Sequence, residues 1–173
     1  MQVNQVAKAV LKYYSNFPHS MREDILHTQE VVCYTRMIAS GENLSQQDTD
    51  MQEIAAWLHD IGCPHSKEIH GNSLPQNQQS VGREVAQELL QEFTEITPRE
   101  KQWLIEVVAT HHQFEDSLRL GFTPLFEADL IVNLLSGYYK KEQAENLYNK
   151  IMVSKTGKAL FLEVVCGALD IKF

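Results

Sequence analysis

An all-α bundle is the fold that three features of this 173-residue sequence predict. Apolar residues recur at helical spacing in nearly every segment, and no long alternating run of β-branched residues appears. Prolines, glycines and capping residues fall between the periodic stretches. With 43% hydrophobic and 22% charged residues, the chain is expected to fold as a single domain over residues 1–173 with a sizeable core.

The first helix is expected from about Val3 to Phe17, stopped by Pro18, and the second from Arg22 to Ala39 with Gly41 as its stop. A third begins near Gln47 to Asp50, carries Met51, Ile54, Ala55, Leu58 and Ile61 as its stripe, and holds His59 and Asp60 in its last turn before a Gly62 cap. Residues 63–75 are polar and punctuated by proline and glycine, so they read as a long loop. A helix over Gln78 to Phe93 follows. Thr97-Pro98-Arg99-Glu100 then supplies an N-cap, a proline and an acidic first turn for the helix that ends at His111-His112. Gln113 to Thr123 reads as a second polar loop. Pro124 opens the helix through Asp129 and Asn133, and helices near Lys141 to Met152 and Lys155 to Leu169 complete the bundle.

Charge narrows the partners. A net charge of -8 and a pI near 5.3 argue against a surface built for a nucleic-acid polymer or an anionic membrane, both of which require a basic face. No apolar run has the flanks of a signal peptide or approaches the roughly 20 residues of a membrane span, so a cytoplasmic location is expected. Cys33, Cys63 and Cys166 are odd in number and widely spaced, which fits free thiols: Cys33 and Cys166 are expected in the core, Cys63 beside the end of the third helix.

The informative residues are ionisable groups on faces that should be apolar. His27 shares a face with Val31, Tyr34 and Ile38; His59 and Asp60 follow Ala55 and Ala56, whose small side chains leave room. His111 lies four after Val107, His112 four after Val108, and Asp129 four after Leu125. A lone buried carboxylate costs several kcal/mol unless it is paired or bound to a metal. Four inward faces carrying imidazoles and carboxylates form a set suited to Mn, Fe, Zn, Ni or Co rather than Ca.

The order His27, His59-Asp60, His111-His112, Glu127-Ala128-Asp129 resembles the HD-domain superfamily of metal-dependent phosphohydrolases, from the second helix to Asn133. It is similar in particular to small bacterial members with a paired-His segment, a Glu-Ala-Asp-x-x-x-Asn helix and a Lys-Thr-Gly segment, matched here by Lys155-Thr156-Gly157. The resemblance implies that His27, His59, Asp60 and Asp129 ligate one divalent metal, and that His111 and His112 stand where two-metal members place second-site ligands. The stretch Gln76 to Gly82 lacks the histidine that many two-metal members carry there; His65 and His70 are the alternatives, and His19 falls outside the pattern on the surface.

A divalent ion with open positions can activate water for attack on phosphorus, so the chain need supply only ligands and positioners. Asp60 is the candidate general base, with His111 or His112 stabilising phosphoryl charge or protonating the leaving group. Lys67 is a candidate catalytic residue and, with Arg83, a candidate phosphate contact, and Asn133 could hold a ligand or the substrate. The expected partner is a small phosphorylated substrate such as a nucleotide, and a homo-oligomer is compatible with the sequence. Two readings stand beside hydrolysis: a di-iron oxygenase and a non-catalytic nucleotide or metal sensor.

Overall fold

A computed structural model describes residues 2–172, and among them there are helices and turns but no strand. The helices are α1 (Val3–Tyr14), α2 (Met21–Gly41), α3 (Gln46–Leu58), α4 (Cys63–His70), α5 (Pro75–Leu89), α6 (Pro98–Thr110), α7 (Phe114–Leu120), α8 (Thr123–Leu135), α9 (Ala144–Ile151) and α10 (Lys155–Leu160). Short 3-10 turns cover Leu90–Glu92 and Lys141–Gln143, and a π-helical segment, Phe161–Cys166, carries α10 on into Gly167–Leu169. The all-α prediction holds. No helix among the described residues is long and apolar enough to cross a membrane.

The long helix α2 packs along both α3 and α8, α3 also meets α1 and α6, and α5 lies against α4 and α6. Tyr14, Ile38, Ile54, Leu58, Leu104, Phe122, Leu125, Ile131 and Phe161 are fully buried in one apolar cluster. Burying each such side chain contributes roughly 1.5–3 kcal/mol, so the ends of α2, α3, α6 and α8 are held by packing rather than by local propensity. At Thr97 the full capping box forms: Thr97 Oγ1 accepts from the Glu100 N–H while the Glu100 side chain accepts from the Thr97 N–H.

The two expected loops are instead helical. Residues 63–70 form α4 with Pro64 in its first turn, where a missing N–H does no harm, and Gly71 closes it at φ 71° in the left-handed region. Residues 114–120 form α7, closed by Gly121 at φ 75°. Gly62 is not a left-handed cap: its φ is -79°, and it is small because α5 crosses it, with Gln78 O only 2.1 Å from where a Cβ would stand. Gly41 is still helical, and its would-be Cβ falls 2.5 Å from the Thr156 side chain. Cys33 is exposed and Cys166 half-buried, against the expectation of two core thiols. Cys63 is buried, at the start of α4.

The Lys155-Thr156-Gly157 segment has a packing role. Glu127, fully buried on α8, accepts hydrogen bonds from the Val153 N–H at 2.6 Å and the Ser154 N–H at 2.8 Å, and from the Ser154 hydroxyl. Glu42 accepts from the N–H and hydroxyl of Thr156. These contacts fasten α10 across α2 and α8.

Candidate metal centre

Two histidines are aimed by the same local device. The last turn of a helix leaves carbonyls without intrahelical partners, and His59 and His111 each take the C-cap position and turn back to one of them. His59 Nδ1 lies 2.7 Å from Ala56 O and His111 Nδ1 2.9 Å from Val108 O. A carbonyl only accepts, so each Nδ1 carries the proton and each Nε2 lone pair points the other way.

Those lone pairs meet the carboxylates. His59 Nε2 is 3.3 Å from His27 Nε2, 3.4 Å from Asp60 Oδ2 and 3.7 Å from Asp129 Oδ1. His27 Nε2 is 3.3 Å from Asp60 Oδ2 and 3.2 Å from Asp129 Oδ1. The other oxygen of Asp60, Oδ1, stands 3.3 Å from His111 Nε2. His27, His59 and Asp60 thus bring ligand atoms together, as do Asp60, His111 and His112, and Asp60 belongs to both groups. His59 and Asp60 lie just beyond the end of α3, in the turn into α4, rather than in its last turn.

The donor set fits a cation. Asp60 Oδ1 and His111 Nε2 face each other as two acceptors, both buried and neither with a hydrogen-bond partner. Something electropositive is required between them. Burial pushes the Asp60 carboxyl up, but His59, His111 and His27 outweigh it and hold the group well below the usual carboxylate range. Asp129 is likewise driven down, because its contacts to His27 and His59 exceed the effect of burial. The converse holds for His27: burial lowers it, yet the bonds to Asp129 and Asp60 prevail and raise it to about 10. His59 is raised as well, Asp60 and Asp129 overriding its burial.

The other side of the site is neutral. Burial, followed by the neighbouring His111, pulls His112 down to about 4. Its Nε2 meets the amide of Gln78, whose oxygen accepts the S–H of Cys63. Burial, with Asp60 and Asp24 nearby, pushes the Cys63 thiol well above its ordinary value, so it is not a thiolate nucleophile.

Above these residues opens a cavity of about 430 Å3, walled by His27, Asp60, His112, Cys63, Gln78, Lys67, Asn133, Glu23, Asp24, Ser73, Ser136 and Tyr138. His59 and His111 are buried beneath it, while His27 and Asp60 keep 21% and 17% of their side-chain surface open. Lys67 reaches it but is engaged, its Nζ donating to Asp24 Oδ1 at 2.7 Å. Asn133 is in the wall; Arg83 is exposed and is not. His65 stacks near Phe17, and it, the exposed His70 and the exposed His19 all stand apart from the two ligand groups. Sequence reasoning missed Asp24, Gln78 and Cys63 as members of the site. Asp24 carried a signal, lying three residues before His27 on the same helical face; Gln78 carried none.

Comparison with known families matches residues 25–152 to the HD domain. The chain belongs to that family. No curated protein and no solved structure gives a significant match. The match runs from α2 through α9 and takes in His27, His59, Asp60, His111, His112 and Asp129. Membership places the chain among HD domains, which bind divalent metals and are commonly metal-dependent hydrolases.

Proposed function

We propose that this HD domain is a metal-dependent phosphohydrolase for a small phosphoester, a nucleotide or related metabolite, with a nucleic-acid polymer or a membrane surface excluded as substrate by its acidic charge. The observation that carries the reading is the convergence of His27, His59, Asp60 and Asp129, of which His27 and Asp60 open to the cavity, with acceptors left unpaired. His27, His59, Asp60 and Asp129 would hold a divalent transition metal, and when bound it supplies Lewis acidity toward a phosphoryl oxygen and lowers the pKa of water.

The chain's own groups do the rest. Asp60 Oδ1 has no hydrogen bond and is the acceptor for the proton of the attacking water, with His111 Nε2 next to it at 3.3 Å. His112, neutral with its Nε2 taken by Gln78, presents Nδ1–H as a hydrogen-bond donor rather than an acid. Asp24 holds the Lys67 ammonium in the cavity, where it can meet phosphoryl oxygen. Asn133 adds a neutral polar contact.

The test is turnover of a phosphoester panel with defined metals. Hydrolysis should need added metal, stop with chelator and fall by several orders of magnitude in Asp60→Asn, which keeps shape but removes charge and proton acceptance. Metal-loaded protein that binds nucleotide yet hydrolyses nothing on a broad panel would contradict the proposal. A second reading, oxidation on two ions, draws support from Asp60 belonging to both ligand groups; a product that forms only with O2 and iron would decide for it.

A further inference from the structure

The cavity wall beyond the floor is unusual for a site that takes phosphate. Its one lysine, Lys67, is already paired with Asp24, no arginine lines it, and Glu23 and Asp24 add two acids on the same side. Asp24 is 8% exposed and its second oxygen, Oδ2, has no hydrogen-bond partner. Glu23 is exposed beside it, one residue away on the first turn of α2. A carboxylate pair answered by one lysine repels a second anionic group brought in alongside the first. The remaining wall, Ser73, Asn133, Ser136 and the 61%-exposed Tyr138, offers hydroxyls, an amide and an aromatic ring. These suit an uncharged polar or ring-bearing portion.

Building on the phosphohydrolase reading, we propose that the substrate carries a single phosphoryl group on an otherwise uncharged or cationic alcohol, and that Glu23 with Asp24 excludes di- and triphosphates. The floor takes the one phosphoryl dianion. The wall has no charge left to balance another. Glu23 is the residue that sets this selectivity, since Asp24 is committed to Lys67.

The experiment uses the full chain with metal at fixed free concentration and compares the mono-, di- and triphosphate of one nucleoside. The monophosphate should be favoured at least tenfold in kcat/KM at low salt, with a smaller margin at high salt as screening sets in. Glu23→Lys should shrink that margin severalfold or reverse it, and Glu23→Gln should move it in the same direction by less. A triphosphate handled as well as the monophosphate by the unmodified protein, or a ratio unmoved in Glu23→Lys, overturns the inference. If no ester is hydrolysed at all, the phosphohydrolase reading falls and binding decides this one. Inorganic phosphate held more tightly than pyrophosphate, with the order weakened in Glu23→Lys, supports it, and pyrophosphate held equally or more tightly overturns it.

Discussion

The two sides of the site share one aspartate but differ in charge. On one side His27 and His59 face Asp60 and Asp129, and the carboxylates raise His27 to about 10 while falling themselves. On the other, burial and the neighbouring His111 pull His112, whose ring meets the Gln78 amide, down to about 4. His27 therefore carries a proton at neutral pH and His112 none. The first side is an arrangement of imidazoles and carboxylates that could hold a cation. The second is an uncharged surface that donates and accepts hydrogen bonds, suited to substrate.

The largest expected effect breaks the first side. Asp129→Asn and His59→Ala should each weaken metal binding by about 10^3-fold or more, since on the proposed assignment each removes a ligand and leaves the remaining buried groups unbalanced. His112→Ala should leave affinity for the first ion within about tenfold while turnover falls further, because the assignment puts it on the substrate side. Titration of each variant with Mn or Zn, read by calorimetry beside initial rates, separates the two sides.

Protons sharpen the contrast. His27 holds one at pH 7 and must lose it to ligate, so metal uptake should release about one proton per ion and affinity should rise with pH up to about 10. Calorimetry in two buffers of different ionisation heat measures that number. In the metal-free protein the signs oppose. The raised His27 stabilises the fold fully below about pH 6.5 and loses that contribution as pH climbs through about 10, whereas the lowered His112 destabilises it as pH falls from about 6.5 toward 4. Melting temperature should accordingly decline at both ends. A metal-free Asp129→Asn protein should lose much of the alkaline decline and keep the His112 contribution to the acid one.

A smaller effect is expected at Gln78. Replacing it by Leu removes the amide that fixes His112 and leaves Cys63 without its acceptor. Turnover should drop roughly ten- to hundredfold with occupancy of the first ion unchanged, as for other residues that orient a functional imidazole. Least of all, Arg83→Ala and His70→Ala should alter neither metal content nor KM beyond about twofold, because both side chains are exposed and outside the cavity wall.

How much of this could be read in advance follows from the physics of each residue. His27, His59, Asp60, His111, His112 and Asp129 were visible because a charge on an apolar face conflicts with its surroundings, and the conflict marks the site. The capping box at Thr97 and Glu100 was equally plain, being a purely local pattern. The helices α4 and α7 were hidden because Pro64, Gly71 and Gly121 both punctuate loops and bound short helices, and tertiary packing decides between the two. Gln78 was hidden because a glutamine on an amphipathic helix looks like solvent-facing surface. Only the crossing of α5 over Gly62, backbone against backbone, brings it to His112.

The central claim is that the His27, His59, Asp60 and Asp129 side is a preformed metal site, and its most direct test is elemental analysis. The unmodified protein, incubated with Mn, Zn, Fe, Ni and Co in turn and then freed of loose ions, should retain about one equivalent or more of at least one of them, as a set of mixed imidazole and carboxylate ligands requires. Asp129→Asn protein treated alongside should retain none. A folded, unmodified protein that holds no metal after all five incubations would contradict the account.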